Sequence, residues 1–117
     1  MVANELVSVT IVTYNSGRFI KRCLESVLAQ KYPAKEIIVV DNASTDGTSD
    51  ILEQFEDRCQ IIYNSENFGF AAAQNQAIRM SGGDWVLALN PDLLLLGRRE
   101  DVDDTVDRAC RIVRMQG

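Results

Sequence analysis

Histidine is absent from the sequence, and cysteine occurs only three times, at Cys23, Cys59 and Cys110. Zinc sites are built from clustered cysteine and histidine ligands, and small disulfide frameworks from an even number of cysteines. Three widely separated cysteines fit neither arrangement. We therefore expect reduced thiols and a cytoplasmic location.

Long apolar runs are also lacking. The first ten residues, MVANELVSVT, have neither the basic start nor the long apolar stretch of a signal peptide. The most apolar later run, VLALNPDLLLL, is interrupted by Asn90, Pro91 and Asp92. We therefore predict that no segment spans a membrane.

Basic residues are outnumbered, with 12 Lys and Arg against 17 Asp and Glu and a net charge of -5. Nucleic-acid binders need Lys and Arg clustered on one face to attract phosphate, so this balance argues against a nucleic-acid partner. Four basic residues are interpreted as a solvated surface, with contact to anionic lipid at the inner face of the membrane as the alternative: Lys21, Arg22, Lys31 and Lys35.

The sequence does contain enough apolar residues for a core. Its 117 residues are 46% hydrophobic and 25% charged, which is typical of one soluble globular domain. Four short apolar runs begin about 24 to 30 residues apart, a spacing that suits strands separated by helical crossovers. They span residues 6–13, 36–40, 60–63 and 84–89.

Helical periodicity fills the segments between these runs. Apolar residues recur at helical spacing over residues 19–28, and more briefly over residues 51–55 after the cap-rich STDGTSD. The third segment, FGFAAAQNQAIRM, offers one apolar face, and the following SGG is a typical helix end. This alternation predicts an α/β fold, a mostly parallel sheet with flanking helices and right-handed crossovers. The apolar residues of the first helix and Trp85 are expected in the core. The third helix should bury Phe70, Ala73, Ala77 and Met80.

Polar residues follow three of the predicted strands. TYN stands at residues 13–15, DN at residues 41–42 and NPD at residues 90–92. Ligands of parallel sheets bind at the carboxyl ends of the strands, so we expect these clusters to converge on one edge.

Residue types alone leave each cluster open to two interpretations. Asp41 is either a ligand contact or a cap of the following turn, and residues 13–15 are either pocket residues or a simple turn. Tyr14 also suits packing against the edge of the sheet. A ribose contact by Asp41, as in dinucleotide-binding folds, is disfavoured because no G-x-G-x-x-G follows the first strand.

Four segments, in this order and spacing, resemble the nucleotide-sugar-binding half of the inverting family 2 glycosyltransferases, especially their rhamnosyltransferase-like branch: VSVTIVTYNSGRFIKRCLESVLAQ, EIIVVDNASTDGT, NFGFAAAQNQAI and WVLALNPD. The resemblance implies a truncated Rossmann-like GT-A fold, with a nucleotide-sugar-binding region over residues 1–96. Residues 97–117 are predicted to form a terminal helix or a poorly ordered tail.

The implied activity is transfer of a sugar from a dTDP- or UDP-sugar to a hydroxyl of a carbohydrate or lipid-linked acceptor, in cell-surface polysaccharide biosynthesis. In this family Asp41 would accept the ring N–H of uracil or thymine, with Asn42 beside it. Thr13, Tyr14 and Asn15 would line the nucleotide pocket.

The resemblance also assigns the third helix to the site. Asn67 and Gly69 precede a helix N-terminus, whose unpaired N–H groups suit a diphosphate or a sugar hydroxyl. Asn75 would point inward from that helix. The alternative is that Asn75 is an exposed polar position between two alanines.

A divalent cation, Mg2+ or Mn2+, is implied at the NPD cluster, where family members commonly carry D-x-D. Asp92 would be the carboxylate ligand, and Asn90 would give a neutral oxygen or a ribose contact. Because Asn replaces the first acid, metal binding without nucleotide should be weak. The cluster also suits a turn after a strand, which does not exclude this function.

The catalytic base that an inverting transferase needs cannot be assigned. Asp101, Asp103 and Asp104 follow the metal cluster, but REDVDDTVDR matches no known motif. A non-catalytic nucleotide-sugar-binding or assembly module therefore stays the alternative to an enzyme. A nucleotidyltransferase is disfavoured because no Gly-rich basic loop follows the first strand. A fourth strand without a neighbour would expose an edge, which favours a homodimer.

Overall fold

The computed structural model describes residues 5–91, in which seven elements alternate strictly between strand and helix. The strands are β1 (Val7–Thr13), β2 (Lys35–Asp41), β3 (Gln60–Tyr63) and β4 (Trp85–Leu89), and the helices are α1 (Ile20–Leu28), α2 (Thr48–Glu53) and α3 (Phe70–Met80). The predicted alternation is confirmed, and each strand begins and ends within one residue of its predicted bounds. Asp92 and the predicted terminal helix or tail at residues 97–117 lie outside the described residues.

The four strands form one parallel sheet in the order β3-β2-β1-β4. The chain moves in one direction through β1, β2 and β3, and then crosses back over β2 and β1 to reach β4. Because crossovers of this kind are right-handed, the reversal places α3 on the face opposite to α1 and α2. The hydrophobic clusters on the two faces agree with this arrangement.

The larger part of the core lies on the α1 and α2 face. Val7, Val9 and Ile11 of β1 pack there with the buried side of α1 and with Trp85 of β4. The predicted apolar stripe of α1 is buried from Ile20 to Val27, whereas Phe19 precedes the helix and is 44% exposed. The predicted packing role of Trp85 is confirmed.

The α3 face has a smaller core. Ala73 and Ala77 are fully buried against Val12, Ile38 and Val40. The prediction that Phe70 and Met80 complete the buried face of α3 is wrong, since both side chains are largely exposed. Small residues bring α3 close to the sheet, and this close approach leaves the larger side chains at the flanks of the contact.

Two further findings bear on the predictions for location and redox state. None of the helices formed by residues 5–91 is long and apolar enough to cross a membrane. Cys23 and Cys59 are buried, and burial raises the pKa of the Cys59 thiol to about 11.

Candidate functional site

The carboxyl ends of β1, β2 and β4 lie side by side. Thr13 pairs with Asp41 in the β1–β2 register, and Leu89 pairs with Ile11 in the β1–β4 register, so Asn90 follows β4 next to the end of β1. The predicted convergence of the polar clusters is therefore confirmed for residues 13–15, 41–42 and 90. Tyr14 and Asn90 are exposed at this edge, and Tyr14 retains 51% of its accessible surface.

Asp41 is the hydrogen-bonding centre of this edge. Its Oδ1 accepts hydrogen bonds from Thr13 Oγ1 and Ser44 Oγ, both at 2.6 Å, and its Oδ2 accepts one from Ser44 N at 3.0 Å. Only 2% of the residue is exposed, so these three donors replace the water that burial removes. A carboxylate has about four lone-pair positions, which leaves about one for a ligand. The turn-capping interpretation of Asp41 thus describes its observed contacts.

The loops after β1 and β2 are joined to each other through Asn15. Asn15 Oδ1 accepts a hydrogen bond from Thr45 N at 2.7 Å, and Asn15 N donates to Ser44 Oγ at 2.8 Å. Asn15 adopts a left-handed backbone with φ of 49°, and Ala43 in the second loop does so with φ of 60°. Each such residue costs on the order of 1–2 kcal/mol, which the hydrogen bonds between the loops offset.

Asp46 makes the second link between these loops. Its Oδ2 accepts a hydrogen bond from Gly17 N at 3.0 Å, and its Oδ1 accepts from the backbone and hydroxyl of Thr48. The Thr48 hydroxyl is the main cause of the lowered pKa of Asp46. Sequence reasoning gave Asp46 no role. The sequence signal for its structural role is an acid two residues before a helix that begins with a threonine, Thr48.

Asn42 joins the end of β2 to the start of α3. Its Nδ2 donates to Gly69 O at 3.1 Å, and its Oδ1 accepts from Asn64 Nδ2 at 3.0 Å and from Phe68 N at 3.4 Å. Only 2% of Asn42 is exposed. The side chain is therefore committed to other loops of the protein, and a contact of Asn42 with a nucleotide stays a prediction.

The start of α3 has the expected form of a helix N-terminus. Asn67 Oδ1 accepts a hydrogen bond from Gly69 N at 2.8 Å, and Gly69, with φ of 92°, is the residue that caps the helix. This positive φ is a conformation that L residues rarely adopt, so glycine is required at this position. The first-turn N–H groups of α3 have no partners within the helix and lie at the edge where the strands end.

The side chains of α3 are arranged differently from the prediction. Asn75 is exposed, which agrees with the alternative interpretation of this position, and its contact with a ligand stays a prediction. Gln74 faces the sheet instead, and its Nε2 donates to Thr10 Oγ1 on β1 at 2.6 Å. Gln76 turns to the other side and forms a reciprocal amide pair with Asn64. Asn75 belongs to that side, where a cavity of about 410 Å³ is lined by Phe68, Ala72, Asn75, Gln76 and Arg79.

A metal ion would find few ligands among the described residues. Residues 5–91 contain no group of three or more His, Cys, Asp or Glu that could hold one. Asn90 is exposed at the end of β4, where its amide oxygen is available, whereas Asp41 is already engaged by the protein. The fit therefore depends on Asp92, two residues further on and outside the described residues. The three candidate bases Asp101, Asp103 and Asp104 also lie outside them.

Comparisons with known proteins agree with this geometry. The sequence profile of Glycosyl transferase family 2 matches residues 8–99. The chain is 43% identical over 90 residues to the putative teichuronic acid biosynthesis glycosyltransferase TuaG of Bacillus subtilis, covering 74% of this chain and 36% of that protein. It is 39% identical over 89 residues to the UDP-Glc:alpha-D-GlcNAc-diphosphoundecaprenol beta-1,3-glucosyltransferase WfaP of Escherichia coli, covering 75% of this chain and 36% of that protein.

Solved structures share the fold. Residues 1–349 of S. aureus TarS, solved also with UDP-GlcNAc, superimpose with a TM-score of 0.75 at 29% identity, covering 87% of this chain and 31% of that chain. The mannosyltransferase PcManGT from Pyrobaculum calidifontis, solved with GDP-Man and Mn2+, gives a TM-score of 0.75 at 31% identity, covering 86% of this chain and 31% of that chain. The fold is the GT-A fold, and this chain spans about a third of the length of these proteins. The sequence is thus that of a member of glycosyltransferase family 2.

Proposed function

We propose that this chain is the donor-binding half of an inverting glycosyltransferase that takes a sugar from a dTDP- or UDP-sugar. The observation that carries this proposal is the convergence of three polar strand ends and the N-terminus of α3 at one edge of the sheet. Relatives named as glycosyltransferases, and neighbours solved with UDP-GlcNAc or GDP-Man, support a nucleotide-sugar ligand at this edge.

The base and ribose would lie over the ends of β1 and β2. Asp41 has about one lone-pair position left, which suits a single N–H donor such as the ring N–H of uracil or thymine. Thr13 is fully buried and donates to Asp41, so its role is to orient that carboxylate. The exposed ring of Tyr14 is available to contact the base, and Asn15 fixes the loop that carries it.

The diphosphate would lie between the start of α3 and the end of β4. The amide groups of the first turn after Gly69 favour negative charge there, which matters in a protein that is itself acidic. Asn67 holds the turn that presents them. Asp92 and Asn90 would hold Mg2+ or Mn2+, which when bound neutralises charge on the departing diphosphate. The rhamnosyltransferase-like branch often carries Asn-Pro-Asp at this position, so the Asn90-Pro91-Asp92 sequence supports placement there.

Binding of the acceptor and the general base would come from parts of the protein outside the described residues. We propose a carbohydrate or lipid-linked acceptor, and a cytoplasmic location that includes contact with the inner face of the membrane. The relatives are enzymes by name, which favours a transferase over the alternative of a non-catalytic binding or assembly module.

Calorimetric titration of the 117-residue chain with UDP, dTDP and GDP, each with and without Mn2+, tests the proposal. We expect UDP or dTDP to bind in the presence of Mn2+ and to bind at least about tenfold more weakly without it, a difference of about 1.4 kcal/mol. Asp92→Asn should remove the effect of Mn2+, and Asp57→Asn, at an exposed acid in the loop between α2 and β3, should retain it. Metal-independent binding, or no binding of any nucleotide, would contradict the proposal.

Self-association belongs to the same proposal. Among the described residues β4 pairs with β1 alone, so no described strand covers its other side. We propose that a second copy pairs with this edge. Light scattering that shows a monomer at high protein concentration would contradict it.

A further inference from the structure

The α3 face of the sheet is covered unevenly. α3 lies over β1 and β2, where Ala73 and Ala77 are fully buried. On β4, which lies next to β1, Ala88 is exposed and Val86 is half-buried on this face. The alternate β4 residues, which point to the opposite face, are all buried: Trp85, Leu87 and Leu89. Within residues 5–91, one face of β4 is thus packed and the other is open.

The side of α3 that borders the open face carries exposed apolar side chains. Gln74 bonds to Thr10, and Thr10 is the β1 partner of Ala88, so this side of the helix looks toward β4. Phe70 and Ile78, four residues before and after Gln74, lie on the same side of the helix. They are 59% and 42% exposed. We call the surface between this helix side and β4 the β4 trough: Phe70, Gln74, Ile78, Val86 and Ala88.

The chain leaves the sheet at one end of the β4 trough. β4 ends at Leu89, at the same edge of the sheet where α3 begins, and the sequence continues to residue 117. Four consecutive leucines follow at residues 93–96. Val102, Val106, Cys110 and Val113 then recur at spacings of three and four residues, which predicts one apolar helix side. A helix over residues 100–113 would be about 21 Å long, enough to run beside α3, whose eleven residues span about 16 Å.

We propose that residues 93–113 of this chain dock in the β4 trough, with the valines facing Phe70 and Ile78. The proposal rests on the fold and not on nucleotide binding. A tethered segment acts at an effective concentration in the millimolar range, so it outcompetes a second copy for this surface. The edge of β4, with its backbone groups, is a separate surface and stays available for pairing.

Limited trypsin digestion of the 117-residue chain tests the docking, because arginines at residues 108 and 111 lie inside the segment. A docked segment is cut only when it opens, so we expect cleavage after Arg108 to be at least about tenfold slower than in Ile78→Glu, which puts a charge in the β4 trough. Ala72→Glu is the matched control, since Ala72 lies on the opposite side of α3 and is exposed. It should leave the cleavage rate within about twofold of the parent.

Val106→Glu tests the same contact from the segment. Because Val106 lies outside the described fold, this variant replaces Ile78→Glu if circular dichroism shows that Ile78→Glu lowers the melting temperature. It should accelerate cleavage after Arg108 as Ile78→Glu does. Equal cleavage rates in the parent chain and in Val106→Glu would overturn the proposal. Acceleration by Ala72→Glu equal to that by Ile78→Glu would also overturn it, as would protection that disappears on dilution, because a second copy would then be the occupant.

Discussion

Asp41 allows the sharpest test of how the strand-end loops are held. Asp41→Ala removes the acceptor of three hydrogen bonds, from the hydroxyls of Thr13 and Ser44 and from Ser44 N. The Thr13 hydroxyl is buried, so it loses its acceptor without gaining water. Leaving a buried donor unsatisfied costs about 1–3 kcal/mol, and the loss of the two hydrogen bonds from Ser44 costs about 1 kcal/mol each. We therefore expect the free energy of unfolding to fall by about 3–5 kcal/mol.

Asp41→Asn should cost less, for a geometric reason. If the amide turns its oxygen toward Ser44 N, its NH2 group faces two hydroxyls, and hydroxyls can rotate to accept as well as donate. The variant then keeps its hydrogen bonds but loses their charge assistance, which is worth about 1–2 kcal/mol in total. We therefore expect a graded series, in which the parent protein is most stable, Asp41→Asn is intermediate and Asp41→Ala is least stable.

Urea unfolding followed by circular dichroism measures this series, provided that the dependence of the unfolding free energy on urea is unchanged among the variants. Asp57→Ala, at an exposed acid in the loop after α2, is the control and should change the free energy by less than about 0.5 kcal/mol. Equal losses for Asp41→Asn and Asp41→Ala would refute the hydrogen-bond reasoning, as would a loss below about 1 kcal/mol for Asp41→Ala.

Two further predictions follow from the described contacts. Gly83→Ala would place a Cβ against Ser8 Oγ and 2.8 Å from Ser8 N, so we expect it to lower the free energy of unfolding by about 1–3 kcal/mol in thermal unfolding. Gly82→Ala, whose Cβ would meet nothing nearer than 3.9 Å, is its control, and equal melting temperatures would contradict the crowding. For Asp46 the folded-state pKa lies below the ordinary 3.8, so its contribution to stability is present above 3.8 and is lost as pH falls through the folded value. As pH falls from 5 to 2, the urea midpoint should decrease less in Asp46→Asn than in the parent protein. An identical pH dependence of the midpoint in both proteins would contradict this assignment.

The sequence predicts the strands well because each is a short apolar run bounded by polar turn residues, and the helices between them have a different period. It also predicts which strand ends meet, since parallel strands share one carboxyl edge. The rotation of α3 was harder to predict. Asn75 lies two residues from both Ala73 and Ala77, so a helix that packs through these alanines turns Asn75 outward and Gln74 toward β1.

The commitment of Asp41 and Asn42 to contacts within the protein was also beyond the sequence. Both residue types suit a ligand as well as a turn, and the choice depends on how far apart the loops after β1, β2 and β3 lie in space. That distance is set by the register of the sheet and by the two left-handed residues, Asn15 and Ala43. No local pattern encodes it.

The links from Asn42 to Gly69 and from Asn15 to Thr45 join three separate loops into a single rigid rim. A rim that is already ordered loses little conformational entropy when a ligand arrives, so more of the gross contact energy is expressed as affinity. Such a rim also changes little in shape between its free and bound forms. A substitution in one of the three loops is then felt by the other two.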